Sequence, residues 1–372
     1  MKKGSWLKKG IASIGLLSLV VAAGCSSSGE QAAAGQPKAE ATADNSATEA
    51  TATTGKDFKI GYLPATIDTL FFVAQEEGYF KEEGLNAELI PFGNSGEGLN
   101  AVKAGKLDVG AFGTAAPLSF IDKGASDLTI IGGAGGKGNG IIAKPELEKE
   151  FQDIQGFKGK KVATVKLSNG DAVWRKGLVD AGIDLEKEVE IVELGSPADV
   201  LQSVKKGAVD AGIVWAPFME MAKEQGLKVV KYTDDYFPGH PCCRQVALSE
   251  NLKERKDDYK AFFRALLRAE KFYNENKEET IEHIAKYVKT DRKIIEADAY
   301  GGDLLISADP NKHGVEEYWE GMKKIDYVQS EENIDKNINT ALYEEALNAL
   351  VEKNPDDAFY QKALDLFKKQ NS

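Results

Sequence analysis

The sequence predicts an α/β protein with two lobes, each a mainly parallel sheet flanked by helices. Short apolar runs alternate with helical segments from residue 58 to residue 231, which is the pattern of parallel strands joined by right-handed crossovers. An internal repeat divides this part of the chain into two copies. After residue 251 the pattern is helical only, so we expect a helical C-terminal extension.

The repeat keeps one offset throughout and needs no gap. The segment ELIPFGNSGEGLNAVKAGKLDVGAF (residues 88–112) aligns with EIVELGSPADVLQSVKKGAVDAGIV (residues 190–214), and the same offset places KIGYL over KVATV. In each copy a strand, a turn of small residues, a helix that stops at Gly105 or Gly207, and a second strand follow one another. Two copies of one strand–helix–strand frame predict two lobes with equivalent strands.

The predicted strands fall at matching positions in the two copies. They lie near 58–63, 86–91, 107–112, 128–132, 161–165, 188–194, 209–214 and 227–231. One further strand, RQVALS, precedes the helical extension. There the stripe of Phe262, Phe263, Leu266 and Leu267 has the spacing of a helix face that is buried in a core.

Ligands of open parallel sheets bind beyond the carboxyl ends of the strands. The loops expected there, such as PATID, GNS, GTAAP, KLSNGD and WAPF, are rich in small and hydroxylated residues at helix starts. Ser95, Thr114, Ser168 and Ser196 are each predicted to be helix N-caps. Two sets of helix N-termini that face one gap predict a site for a small solute with anionic or acceptor groups. The GAGGKGNG stretch lacks the frame of a phosphate loop and predicts a flexible cleft loop.

The N-terminus has the layout of a secretory signal, with four lysines before the apolar run of residues 11–23. The AAGC segment resembles a bacterial lipobox, which predicts a signal peptide over residues 1–24 and a lipid, such as palmitate, on Cys25. Residues 26–55 contain no large apolar side chain and predict a disordered tether. We therefore expect attachment to the extracytoplasmic face of the cell membrane; the alternative is an ordinary signal peptide.

Composition and motifs argue against several classes of function. The net charge of −12 makes the chain a poor non-specific binder of nucleic acid. Three cysteines, one of them in the lipobox, leave no disulfide framework. The sequence shows neither a Ser–His–Asp arrangement nor a phosphate loop that ends in Gly-Lys-Ser/Thr, so we predict a protein that is not an enzyme and needs no cofactor.

The FPGHPCCRQV segment (residues 237–246) concentrates unusual chemistry. Its His240, Cys242 and Cys243 leave four interpretations open: a strained vicinal disulfide, a zinc site that lacks a fourth ligand, a soft-metal site, or a wall of the ligand pocket beside Arg244. The pocket wall is favoured. Metal binding stays an open question.

The segment KIGYLPATIDTLFFVAQEEGYFKEEGLNAELIPFGNSGEGLNAVKAGKLDVGAFGTAAPL, with VDAGIVWAPF later, resembles the solute-binding lipoproteins of ABC importers for nitrate, taurine and alkanesulfonates. Binders of thiamin-pyrimidine precursors belong to the same superfamily. The resemblance covers residues 59–327. It implies a periplasmic-binding-protein type II fold, a ligand cleft between the lobes, and delivery to a membrane permease with a cytoplasmic ATPase.

The resemblance also implies domain limits and contact residues. The first lobe is expected to comprise residues 57–143 and 244–372, and the second residues 144–243, with crossings near Lys144 and near residues 240–244. The implied ligand contacts are Thr66, Asp68, Ser95, Thr114, Ala115, Ser168, Asn169, Asp171, Trp215, His240, Cys242, Cys243 and Arg244.

The sequence therefore predicts a monomeric extracytoplasmic lipoprotein that captures a small organic, anionic solute by hinge closure and passes it to a permease. Asp68 and Asp171 favour a solute that also carries donors, although Arg175 or Lys166 could neutralise them. One alternative is a sensor that docks on a membrane receptor, and another is a soft-metal binder that uses His240 and the two cysteines. An enzyme related to thiamin pyrimidine synthase is the least favoured, because that group has a longer cysteine motif.

Overall fold

Two β-sheets form the centres of two lobes in the computed structural model, which describes residues 55–372. The predictions for the signal peptide, for Cys25 and for nearly all of the tether lie outside the described residues. The strands are β1 (Lys56–Tyr62), β2 (Leu85–Pro91), β3 (Val109–Gly113), β4 (Leu128–Lys137), β5 (Asn139–Ala143), β6 (Lys161–Val165), β7 (Glu190–Leu194), β8 (Ala211–Trp215), β9 (Lys228–Tyr232), β10 (Pro241–Leu248) and β11 (Leu304–Ile306).

Helices flank both sheets and make up most of the chain after β10. They are α1 (Thr69–Glu76), α2 (Tyr79–Glu82), α3 (Ser95–Lys103), α4 (Ala115–Asp122), α5 (Asn169–Asp180), α6 (Pro197–Lys206), α7 (Phe218–Glu224), α8 (Ser249–Glu254), α9 (Lys256–Glu275), α10 (Lys277–Tyr287), α11 (Arg292–Tyr300), α12 (Lys312–Lys323), α13 (Ala341–Lys353) and α14 (Ala358–Asn371). Within residues 55–372, none of the helices combines the length and the apolar character that a membrane span requires.

The strand order confirms the predicted two-lobed α/β architecture. The first sheet has the order β11-β4-β10-β3-β1-β2, and the second has the order β7-β6-β8-β5-β9. In the first sheet β10 and β11 run against the other strands, and in the second sheet β5 does so. Each sheet is therefore mainly parallel in direction, with its reversed strands supplied by segments near the connections between the lobes.

The 102-residue repeat corresponds to equivalent elements. Helix α3 aligns with α6 and strand β3 with β8 at the repeat offset. The backbone N–H of Lys59 donates to Asp108 Oδ2 at 2.6 Å, and that of Lys161 donates to Asp210 Oδ2 at 2.8 Å. The two aspartates that match in the repeat thus connect β1 and β6 to the residues just before β3 and β8.

Glycines end the repeated helices as predicted, and of the four predicted N-caps only Ser95 does not lie at an N-cap position. Gly207 caps α6 in the left-handed conformation at φ 71°. Ser168 and Ser196 accept N–H bonds as N-caps of α5 and α6. The cap of α3 is Asn94, because Ser95 is already the first helical residue. Thr114 makes no capping bond, because its hydroxyl donates to the carbonyls of residues 241 and 242 instead.

The chain crosses between the lobes twice. β4 belongs to the first sheet and β5 to the second, so residues 137–139 form the first crossing segment. β9 belongs to the second sheet and β10 to the first, so residues 233–240 form the second crossing segment. The backbone N–H of Lys137 donates to the carbonyl of His240 at 3.2 Å, which joins the two segments.

The crossings come earlier in the chain than the sequence predicted. The expected positions were near Lys144 and near residues 240–244. Residues 139–143 instead pair with β8 and β9 in the second sheet, and residues 241–243 pair with β3 and β4 in the first. Sequence pattern alone does not show which sheet a short apolar strand joins, because long-range pairing decides it.

The glycine-rich stretch after residue 131 is a strand and not a flexible loop. A Cβ at Gly133 would lie 2.4 Å from the carbonyl oxygen of Asp309 and 2.5 Å from Nη1 of Arg244. A Cβ at Gly135 would lie 2.1 Å from the carbonyl oxygen of Leu305. Glycine is needed here because neighbouring backbone and a buried guanidinium approach the strand closely.

The helical extension completes the core of the first lobe. Phe262, Phe263, Leu266 and Leu267 on α9 are fully buried, which confirms their assignment to a packed helix face. The second lobe has two smaller apolar clusters. The C-terminal helices therefore serve to pack the first sheet and to hold its loops at the cleft.

Candidate functional site

A small cavity lies between the carboxyl-end loops of the two sheets. Counted as the space open to the centre of a water molecule, its volume is about 30 Å³, and one water needs roughly 10–15 Å³ on this measure. The lobes are therefore nearly closed on each other. Its lining consists of Leu63, Ala65, Ile67, Ser95, Gly113, Gly138, Asn139, Ser168, Asn169, Trp215, Ala216, Cys242, Cys243 and Leu304.

The N-termini of α3 and α5 reach the cavity from opposite lobes. Ser95 Oγ accepts the backbone N–H of Gly113 at 3.2 Å, and Ser168 Oγ accepts that of Asp171 at 3.2 Å. Each hydroxyl accepts in this arrangement, so its own hydrogen remains as a donor. The first turns of two helices together offer N–H groups and positive dipole ends to an acceptor or an anion.

A chain of hydrogen bonds joins the cavity wall to both crossing segments. Asn169 Nδ2 lies 3.2 Å from His240 Nδ1, and His240 Nε2 lies 2.9 Å from Thr233 Oγ1. Thr233 Oγ1 donates in turn to the carbonyl of Asn139 at 3.2 Å. Burial lowers the pKa of His240 to about 4, so the imidazole is neutral at pH 7. His240 was predicted as a ligand contact, but it lies behind Asn169 and does not line the cavity.

The two cysteines line the cavity side by side as thiols. Their Sγ atoms lie 3.7 Å apart, whereas a disulfide needs about 2.05 Å. Asn139 Nδ2 donates to Cys242 Sγ at 3.4 Å. The hydrogen bond to Cys242, and then burial, raise the pKa of the Cys243 thiol well above its usual range. The pair therefore forms a soft, polarisable patch of the pocket wall.

The described part of the chain holds no group of three or more His, Cys, Asp or Glu side chains arranged to bind a metal ion. The two nitrogens of His240 are engaged by Asn169 and Thr233. His240 therefore cannot serve as the third ligand of a soft metal in this arrangement, and only the two thiols of the segment are left as metal ligands.

Asp68 lies beside the cavity without lining it. Its Oδ2 accepts the N–H of Leu63 at 3.1 Å, while Oδ1 is buried with no partner among the described residues. Burial raises the pKa of this carboxyl well above its usual range, and nearby Cys242 contributes in the same direction. The environment of Asp68 therefore disfavours a negative charge on its own carboxyl group.

The two other charged residues predicted as contacts are used elsewhere. Arg244 donates to the carbonyls of Asp309 and Pro310, both at 3.0 Å, and to that of Gly135 at 2.6 Å. Burial lowers its pKa to about 10. Asp171 binds Arg175 Nε at 2.7 Å. Neither side chain lines the cavity.

Lys166 pairs with Glu193 at 3.0 Å, so Arg175 and not Lys166 neutralises Asp171. Thr66, Thr114 and Ala115 are also behind the lining. The Thr66 hydroxyl donates to Asp298, and Ala115 is fully buried. These three residues support the loops at the cleft and do not face the solute space.

Six predicted contacts line the cavity: Ser95, Ser168, Asn169, Trp215, Cys242 and Cys243. The sequence analysis missed the other lining residues. Ala65, Gly113 and Ala216 belong to the loops PATID, GTAAP and WAPF, which the sequence analysis had placed at the cleft, so their position in these loops was a usable signal. Leu304 lies on a three-residue strand inside a helical region, where no local pattern indicates a pocket.

Residues 52–289 match the model of the NMT1-like family. The chain belongs to the NMT1-like family. Among its relatives, a provisionally named binding protein of Brucella abortus (strain 2308) is 27% identical over 253 residues, which are 67% of this chain and 77% of the relative.

Solved structures show the same fold at lower identity. The periplasmic nitrate-binding protein NrtA of Synechocystis PCC 6803 superposes with a TM-score of 0.71 at 17% identity, over 80% of this chain and 89% of that protein. The periplasmic aliphatic sulphonate binding protein SsuA of Escherichia coli gives 0.66 at 19% identity, over 77% and 99%. This NMT1-like chain therefore has the fold of the periplasmic binding proteins.

Proposed function

We propose that the protein is an extracytoplasmic solute-binding lipoprotein that closes on a small organic, anionic solute and delivers it to an ABC importer. The observation that carries the proposal is a cavity between the helix N-termini of two lobes, which two crossing segments connect within residues 55–372. Two proteins with the same fold are named for the binding of nitrate and of aliphatic sulphonates, which agrees with the proposed function. Attachment through Cys25 and a permease with a cytoplasmic ATPase complete the proposed role.

Closure is the physical basis of the proposed binding. A micromolar dissociation constant corresponds to about −8 kcal/mol, while one exposed helix terminus stabilises an anion by only about 0.3–1 kcal/mol. An open cleft with a few termini therefore binds too weakly. When the lobes close, water leaves, each polar contact strengthens, and Trp215 and Leu304 cover the apolar part of the solute.

Native mass spectrometry of the purified full-length protein tests the proposal. We expect an additional small-molecule mass that leaves when the protein unfolds and that is identified in the released fraction. An adjacent pair of variants supplies the control. Leu304→Arg places a charge in the cavity wall and should abolish the additional mass, whereas Leu305→Arg changes an exposed neighbour and should retain it.

Two results would count against the proposal. A protein that never retains or binds a small molecule, even after incubation with a soluble extract of small metabolites, has no support for a transport role. Equal retention by both variants would show that the solute binds elsewhere. A metal mass lost on chelation, with rising alkylation of the two cysteines, would instead favour the soft-metal alternative.

A further inference from the structure

Asn169 presents a buried hydrogen-bond acceptor at the cavity wall. The residue is 3% exposed, and its Oδ1 has no hydrogen-bond partner within residues 55–372. Among the described residues that line the cavity, it alone has a buried side-chain oxygen or nitrogen left unpaired. Buried polar groups are nearly always paired in native proteins, so this oxygen indicates a partner supplied by the solute.

The hydrogen bonds around His240 determine which end of the Asn169 amide is unpaired. Thr233 has one hydroxyl hydrogen, and it donates this to the carbonyl of Asn139. Thr233 Oγ1 therefore accepts from the Nε2–H of His240, which leaves a lone pair on Nδ1 of the neutral ring. That lone pair accepts from Asn169 Nδ2, so the free end of the amide is the acceptor Oδ1.

The charges around the cavity agree with an unpaired acceptor at Asn169 Oδ1. No lining residue is Lys, Arg or His. The buried cation Arg244 is not among the lining residues, and its Nη1 and Nη2 donate to three backbone carbonyls. An oxyanion that has acceptors only would therefore face the acceptor Oδ1 of Asn169, with no cationic side chain in the lining to bind it.

We infer that the solute carries an N–H donor that bonds to Oδ1 of Asn169, which makes Asn169 a specificity-determining residue. The solute class is then small molecules of the amide, urea, amine or aminopyrimidine type, and acceptor-only oxyanions are excluded. An acceptor or anionic group of the same solute faces the N-termini of α3 and α5. This inference rests on the proposed function and specifies the chemistry of its ligand.

Matched pairs of small probes test the inference on the purified full-length protein. In each of three pairs of similar size, urea and nitrate, acetamide and acetate, and 2-aminoethanesulfonate and ethanesulfonate, the first member carries an N–H donor and no net charge, and the second is an anion with acceptors only. We expect, by calorimetry, at least one donor member to bind at least about tenfold more tightly than its partner. The inference is overturned if an acceptor-only member binds as tightly as its partner, or if no donor member binds.

Variants of Asn169 link the preference to this residue. Asn169→Leu removes the acceptor and should reduce the donor preference to less than about threefold, and Asn169→Ala serves if the leucine variant does not fold. Asn100→Leu makes the same change on an exposed position of α3 and should keep the preference. If both Asn169 variants still bind the donor member of a pair more tightly, a group other than Asn169 recognises the solute, and the inference is overturned.

The imidazole tautomer provides a test that needs no probe. Nitrogen NMR of the purified full-length protein should show His240 protonated on Nε2 and not on Nδ1 near pH 7. A proton on Nδ1 would reverse the amide of Asn169 and overturn the inference. Native mass spectrometry separates this failure from failure of the proposed function, because a co-purifying solute without N–H groups overturns only the inference.

Discussion

His240 is a neutral, fully buried imidazole at the contact between the second crossing segment and the cavity wall. Burial lowers its pKa to about 4 in the folded protein, whereas an unfolded chain has a histidine pKa of about 6.5. Above pH 6.5 both states are neutral. Between pH 6.5 and pH 4 the unfolded state takes up the proton first, so stability falls as pH falls.

We predict that this histidine costs the folded state about 3 kcal/mol between pH 7 and pH 4. The side chain in His240→Gln does not titrate. Between pH 7 and pH 4 the free energy of unfolding of this variant should therefore fall by about 3 kcal/mol less than that of the wild type. Urea unfolding at several pH values measures the difference. His313→Gln changes an exposed histidine and should follow the wild-type curve; parallel curves for all three proteins would contradict the prediction.

Arg244 stabilises the first lobe and does not supply charge to the cavity. Its guanidinium satisfies three buried carbonyls, which a shorter or apolar side chain leaves without donors. We predict that Arg244→Met lowers the free energy of unfolding by about 3 kcal/mol. Arg292→Met removes an exposed ion pair and should change it by less than about 1 kcal/mol. Equal losses in chemical unfolding would contradict this assignment.

The sequence located the loops around the cavity, but it did not show which side chains face it. Consecutive residues of a strand point to opposite faces, and bulges in β10 shift that alternation. Cys243 therefore lines the cavity while its neighbour Arg244 binds backbone beneath it. The sequence pattern also does not show hydrogen-bond partners. His240 and Asp171 were therefore expected to contact the solute, whereas in the structure they bind other side chains of the protein.

At the level of elements, α12 connects the helical extension of the first lobe to the cavity. It packs against α14 and α4, and it also contacts α5 of the second lobe. The hydroxyl of Tyr318 on α12 donates to the backbone carbonyl of Asn169 at 3.1 Å. Nearby, Tyr327 donates to Asp171 and Lys324 pairs with Asp180 at 2.7 Å. This helix therefore stabilises the closed arrangement of the lobes.

We predict that Tyr318→Phe weakens closure. Loss of this bond should reduce the affinity for the co-purified solute by roughly threefold to tenfold, because one hydrogen bond contributes about 1 kcal/mol. Tyr259→Phe removes a similar bond within the first lobe, to the carbonyl of Asp108 at 2.6 Å. It should lower the melting temperature without changing affinity. If both variants bind as wild type does, α12 has no part in closure.

The internal repeat allowed most strands to be predicted from sequence. Strands β6 and β7, for example, lie at or within two residues of the predicted positions, since local periodicity and glycine stops define them. Pairing was harder to predict. The reversed strands β5 and β10 insert between strands that are distant in sequence, and no local signal reveals such partners.

For the whole molecule, the close approach of the two lobes is the feature that governs binding. At the end of β3, a Cβ on Gly113 would lie 3.2 Å from the backbone nitrogen of Asn169 and 3.5 Å from Ser95 Oγ. The first contact crosses the cleft. The absence of a side chain at this glycine therefore permits the closed state.

We predict that Gly113→Ala shifts the protein toward an open form. Its affinity for the co-purified solute should fall at least about tenfold, and small-angle X-ray scattering should show a smaller decrease in radius of gyration when the solute is added. Stability should change little because the contact lies between lobes. Gly93→Ala, at an exposed turn, is the control; compaction of both variants to the wild-type radius would contradict the prediction.

The position of β10 also has a consequence for biosynthesis. This strand lies between β3 and β4, although it follows them by more than a hundred residues. During synthesis the second lobe has all its strands once residue 232 has emerged, while the first lobe still has two unpaired strand edges. Such edges associate with other chains. A nascent chain halted before residue 241 is therefore the species most exposed to aggregation and most dependent on chaperones.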